Sequence, residues 1–189
     1  MTTANKITLM RFIIIPIMLV VIYLTPLKED IGFLGLSIGS FIFAVLFVIA
    51  AATDFLDGYI ARKYNQVTTF GKFLDPIADK VLVLIALLFL MINDPSRVPL
   101  WAVMIVIMRE FVVTSIRLIA VDQGHVIAAS PYGKIKTAST MVALVLLLFN
   151  DFGLPTIIAN IIFWFAILMT LLSGIDYFVK NRKAILASV

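Results

Sequence analysis

Six apolar stretches, separated by short polar connections, run along the chain. The first extends from about Ile7 to Thr25, with Pro16 expected to kink it. The second begins near Phe33 and stays uncharged through Thr53, long enough for a membrane helix. It then meets Asp54, Asp57 and Arg62 with no helix breaker except Gly58, and a polar connection from Lys63 to Thr69 follows, closed by Gly71. The third stretch is cleanly apolar only from Val81 to Ile92, about 18 Å of helix, too short to cross a bilayer. It crosses only if its helix begins near Lys72 and carries Asp75 and Asp79 in its first turns. The fourth is oily from Val98 to Met108 and then carries Arg109, Glu110 and Arg117. The fifth has a polar start, Gly133-Lys134-Ile135-Lys136-Thr137, before its apolar run from Met141 to Phe149. Asn150–Gly153 reads as a turn, with Pro155 suited to a helix start. The sixth stretch runs from Leu154 to Leu172 and ends in Asp176 and a basic tail, Lys180-Asn181-Arg182-Lys183.

Composition makes the solvent of these helices explicit. Of 189 residues, 62% are hydrophobic and 14% charged, and the mean hydropathy is +1.12. Soluble domains average roughly 45–50% apolar and about 25% charged, so a soluble fold and a disordered chain are both excluded. No cysteine is present, which removes disulfides, thiolate metal sites and cysteine nucleophiles. No small-residue cleavage site follows the first stretch, so it reads as a membrane helix rather than a signal peptide. The expectation is an all-α, multi-pass cell-membrane protein of six transmembrane helices, a single domain over residues 1–189, with no nucleic-acid partner.

Threading the six helices with a cytoplasmic N-terminus leaves only Lys28 and Arg97 outside, and the other thirteen of the fifteen basic residues at the cytoplasmic end. The positive-inside rule then places both termini in the cytoplasm. Segments two to five all bring their ionisable groups to that same end. Because charge in lipid is costly, their convergence points to a cavity open to the cytoplasm.

Asp54 and Asp57 are spaced i, i+3, and Asp75 and Asp79 are spaced i, i+4, so each pair shares a helix face. A short connection makes the two helices antiparallel neighbours, and all four carboxylates can meet. Like charges at such range oppose one another's ionisation, a conflict that divalent cations remove. An all-oxygen donor set favours a hard ion, Mg²⁺ or Mn²⁺. The lone histidine, His125, stands remote in a loop and reads as solvated. Gly58, Gly71 and Ala61 bracket the aspartates and leave room for a ligand to approach the backbone.

The pattern Asp54-x2-Asp57-Gly58-x2-Ala61-Arg62-x8-Gly71-x3-Asp75-x3-Asp79 resembles, at every fixed position, the signature of the CDP-alcohol phosphatidyltransferases. The blocks Asn5-x2-Thr8-x2-Arg11, Arg109-Glu110-x6-Arg117, Gly133-Lys134-x-Lys136-Thr137 and Ser173-Gly174-x-Asp176-Tyr177 sit where a bacterial branch of that family has similar ones. Thr140 departs, standing where many members have glutamine, and this bears on the acceptor rather than on the family. The resemblance implies transfer from CDP-diacylglycerol to an alcohol with release of CMP, assisted by two divalent ions. It makes Asp54, Asp57 and Asp75 the main metal ligands and Asp79 a ligand of the second ion or the general base. It also places Asn5, Thr8, Gly58, Ala61, Arg62 and Gly71 around the cytidine diphosphate and implies a homodimer among membrane lipids.

The remaining cations bear on the acceptor. Arg109 and Arg117 are eight apart, close to two helical turns, and share a face. Lys134 and Lys136 stand at the entry of the fifth helix, where topology alone also favours basic residues. So much positive charge suits a phosphorylated alcohol, with arginine's planar fork matched to a phosphate dianion. Glycerol 3-phosphate leads, with Glu110 expected to orient one arginine. Inositol phosphate, serine or phosphatidylglycerol remain as other acceptors, and a divalent-cation transporter is the rival from another class.

Overall fold

In a computed structural model the described residues form six α-helices and no strand: α1 (Thr3–Tyr23), α2 (Ile38–Lys63), α3 (Thr69–Asn93), α4 (Leu100–Asp122), α5 (Pro131–Leu148) and α6 (Thr156–Leu186). The structure describes the backbone of residues 3–24, 34–63, 69–122 and 130–186, with side chains except at 3–8, 55–62, 69–76, 121–122 and 183–186.

Local chemistry explains where the helices begin. α2 starts at Ile38, later than the apolar pattern suggests, because Leu34 and Gly35 adopt left-handed conformations (φ 57° and 63°). Ser37 then caps the helix: its Oγ accepts from the Ser40 amide at 3.2 Å and its carbonyl from Phe41 at 3.0 Å. α5 repeats the device, with Ser130 Oγ accepting from the Gly133 amide at 3.1 Å and Pro131 at the first helical position. α3 begins at Thr69, so its 25 residues carry Asp75 and Asp79 inside a helix about 37 Å long. That satisfies the length the third stretch requires.

Among the described residues, Thr156–Arg182 is the one helical segment both long and apolar enough to cross a membrane. Leu9–Tyr23 and Ile38–Asp54 are shorter apolar runs, and in α3 to α5 ionisable groups interrupt the apolar stretch. Large apolar side chains face outward along α6, with Ile157, Ile161 and Ile175 each about 60% exposed. Such a surface suits hydrocarbon and not water.

The chain divides into two compact units, Met1–Phe89 with Val145–Gly153, and Leu90–Leu144 with Leu154–Val189. In the first, α1 packs on α2. Arg11, Ile15, Met18 and Val21 form the buried face of α1, and Phe43, Phe47 and Ala50 that of α2. Both rows recur at helical spacing. Phe43 of α2 stacks on Phe89 of α3 at 4.1 Å, and fully buried Ala44, Ala50, Ala78 and Ala86 keep side chains small within this core.

In the second unit α4 packs on α6. Ala102, Val106, Val113, Ile116 and Ala120 are buried along α4, and Ala159, Phe163, Ala166, Thr170, Ser173 and Tyr177 along α6. The α6 row advances by alternating steps of three and four, and so does the α4 row once Arg109 is counted in it, the pattern of a helix–helix seam. Trp101 stacks on Trp164 and Arg97 donates to Asn160, each pair 63 residues apart, so the two helices run parallel in one register. Arg109 occupies the place in the α4 row between Val106 and Val113, a position where the pattern calls for an apolar side chain.

Candidate active site

The carboxylates come from α2 and α3. A five-residue connection between Lys63 and Thr69 makes these helices antiparallel, and the Phe43–Phe89 stack sets their register. Asp54 lies eleven residues beyond Phe43, and Asp79 ten residues before Phe89, which is about 16 Å and about 15 Å of helix. Their backbones therefore stand at the same level. Asp57 and Asp75 follow on the same two helices, one turn further toward the connection.

Arg11 reaches this level from α1. It is fully buried, its Nε donates to the Ala50 carbonyl at 3.2 Å, and its Nη1 lies 2.9 Å from Asp54 Oδ1. The Asp54 side chain is 43% exposed, so it faces open space on one side and a fixed guanidinium on the other. An ionised carboxylate has about four lone-pair sites, enough to hold an arginine and a metal together. Asp79 is half-buried. Among the described residues no group of three or more acidic or histidine side chains is gathered. The side chains of Asn5, Thr8, Asp57, Gly58, Ala61, Arg62, Gly71 and Asp75 lie outside the described ones, as does His125. The donors at hand, carboxylate oxygens on two facing helices with an arginine tether, fit a hard divalent cation.

The second unit holds the cations. Glu110 Oε1 accepts from Arg109 Nη1 at 3.0 Å and from Lys136 Nζ at 2.6 Å, with all three side chains at most 15% exposed. One carboxylate shared by two cations leaves a net positive charge. Arg109 Nε donates to Ser173 Oγ at 3.1 Å, and that hydroxyl donates to the Thr170 carbonyl at 3.0 Å. Arg117 Nε donates to the Tyr177 hydroxyl at 2.8 Å, with the guanidinium carbon 5.4 Å from the centre of the ring. Gly174 lies close against Arg109: a Cβ there would come 3.3 Å from Arg109 Cγ, a tight contact.

The four cations expected at an acceptor are thus not equivalent. Arg109 and Lys136 are drawn inward by polar partners; Arg117 is exposed but tethered to the Tyr177 hydroxyl, and Lys134, two residues from Lys136 and so on another side of α5, is exposed. Thr140 is buried one turn beyond Lys136 on the same helix. Glu110 serves an arginine as expected and a lysine besides. Two partners are not legible from charge pattern alone, Arg11 for Asp54 and Ser173 for Arg109. The signal for Arg11 is its place on the buried row of α1, where an unpaired guanidinium would be costly.

Comparison with known proteins adds independent findings. Residues 1–172 match the family model described as CDP-alcohol phosphatidyltransferase. The chain is 42% identical over 190 residues to the CDP-diacylglycerol–glycerol-3-phosphate 3-phosphatidyltransferase of Bacillus subtilis (strain 168), covering 97% of each chain. It is 36% identical to the protein of the same name from Rickettsia bellii (95% of this chain, 94% of the relative). It is 35% identical to that of Haemophilus influenzae (96% and 94%).

Proposed function

The chain belongs to the CDP-alcohol phosphatidyltransferase family, and on that premise we propose that it transfers the phosphatidyl group from CDP-diacylglycerol to glycerol 3-phosphate, giving phosphatidylglycerophosphate and CMP. The observation that carries the choice of acceptor is the cation pair Arg109 and Lys136, held inward, with the exposed but tethered Arg117 on the same helix as Arg109; the group retains net positive charge after Glu110 is counted. A dianionic phosphate complements it, and a neutral or zwitterionic acceptor leaves it uncompensated. Lys134 adds to the positive field from the surface.

Asp54, Asp57, Asp75 and Asp79 would hold two divalent ions, which would supply neutralisation of the pyrophosphate and of the charge that collects on departing CMP. Arg11 fixes the rotamer of Asp54 and offsets part of the acidic charge. Asn5, Thr8, Gly58, Ala61, Arg62 and Gly71 surround the cytidine diphosphate. Asp79 accepts the proton of the acceptor hydroxyl as its oxygen bonds to the phosphatidyl phosphorus and the bond to the CMP oxygen breaks. In this reading the whole chain is one membrane domain with six spans. Both termini and the site face the cytoplasm, and the protein pairs as a homodimer.

The test is CMP release by purified protein given CDP-diacylglycerol, Mg²⁺ and one acceptor at a time. Release is expected with glycerol 3-phosphate; release only with serine or inositol phosphate overturns the acceptor. In the same assay Asp79→Asn should abolish turnover while CDP-diacylglycerol still binds. An active variant removes Asp79 from the role of base.

A further inference from the structure

We propose that Ser173 and Tyr177 of α6 are positioning residues of the acceptor site, each setting the plane of one α4 guanidinium by holding its Nε. The inference rests on the acceptor reading above and deepens it. An arginine recognises phosphate through two parallel N–H groups, so the direction of the fork matters as much as its charge. A free arginine side chain must lose its rotamer freedom on binding, whereas one already held loses less.

Both holds are themselves fixed. Ser173 is fully buried, and its hydroxyl hydrogen is committed to the Thr170 carbonyl at 3.0 Å, which turns a lone pair toward Arg109 Nε at 3.1 Å. Tyr177 is 2% exposed and packs with Val113 and Ile116, so its ring is clamped by the same helix that carries the arginine. Its hydroxyl accepts from Arg117 Nε at 2.8 Å while the guanidinium carbon lies 5.4 Å from the ring centre. The register of α4 on α6 brings Arg109 beside Ser173 and Val113 beside Tyr177, each pair 64 residues apart. With Nε occupied, each guanidinium is left to present its Nη groups. In Arg109, Nη1 goes to Glu110, and Nη2 points toward the start of α5, where it would lie 3.7 Å from a Cβ built on Gly133.

A merely structural role for these hydroxyls predicts lower stability with both substrates affected alike. A positioning role predicts a split. In Tyr177→Phe, which keeps the ring and its packing, the KM for glycerol 3-phosphate should rise roughly tenfold, the loss of one hydrogen bond to a charged group. The KM for CDP-diacylglycerol should stay within about twofold. In an Arg117→Lys background, where no Nε remains to hold, Tyr177→Phe should add nothing. Ser173→Ala reads the same split for Arg109 and serves if Tyr177→Phe does not fold. An unchanged acceptor KM, an equal rise in both KM values, or full additivity with Arg117→Lys overturns the proposal. If the parent protein releases no CMP with glycerol 3-phosphate, the acceptor reading falls first; if it does and the split is missing, only this inference falls.

Discussion

Glu110 accepts from two cations at once, Arg109 at 3.0 Å and Lys136 at 2.6 Å, where none of the three side chains is more than 15% exposed. The consequences of removing each partner are unequal. Without Lys136 an arginine–carboxylate pair survives, but without the carboxylate two half-desolvated cations face each other. Glu110→Gln should therefore lower the apparent melting temperature in detergent by more than Lys136→Met does. Added glycerol 3-phosphate should narrow that gap, because a bound dianion restores the missing counter-charge and ligand binding stabilises the folded state. A Lys136→Met protein as damaged as Glu110→Gln, or a gap that the phosphate leaves untouched, would show that Glu110 is not the counter-ion of this cluster.

Among the described residues, the turn joining α5 to α6 carries the longest run of left-handed backbone. Asn150, Asp151 and Phe152 all have positive φ (48°, 63° and 54°) before Gly153 at 76°. Left-handed backbone costs an ordinary residue roughly 1–2 kcal/mol, least for asparagine and glycine. The turn is held by the stacking of Phe149 on Phe152 and by a 2.7 Å bond from Asn150 Nδ2 to the Leu34 carbonyl, just before α2. Asn150→Ala loses that bond and raises the strain, so stability should fall by about 1–3 kcal/mol. Asn150→Gly loses the bond but relaxes the backbone and should fall less. Melting curves of the two variants check the order. The same comparison shows what sequence can convey. Helices α3 and α5 and the spacing of their charged residues are legible because periodicity and capping are local. The start of α2 is displaced because Leu34 is apolar yet left-handed, a conformation that its side chain does not announce. Pairings across tens of residues, Arg11 with Asp54 or Arg117 with Tyr177, depend on helix register, which no local pattern contains.

At the scale of the whole molecule, the proposed six spans make a prediction of parity. The α3–α4 connection and the end of α6 are separated by three helices, so if each of them crosses, as proposed, the two regions lie on opposite sides of the membrane. Charge supplies the sign, since Arg97 is the only basic residue in the first region, while Lys180, Arg182 and Lys183 cluster in the second. In the proposed reading a soluble phosphorylated acceptor reaches the cation group from the cytoplasm. The chain contains no cysteine, so a single introduced thiol reports its own location without background. Ser96 lies exposed between α3 and α4, and Lys180 is 61% exposed near the end of α6. A membrane-impermeant maleimide added to intact spheroplasts should label Ser96→Cys and should reach Lys180→Cys only after the membrane is opened. Labelling of both from outside would break the parity and with it the six-span threading. The reverse pattern would keep six spans but turn the cation group toward the outside, away from any cytosolic acceptor.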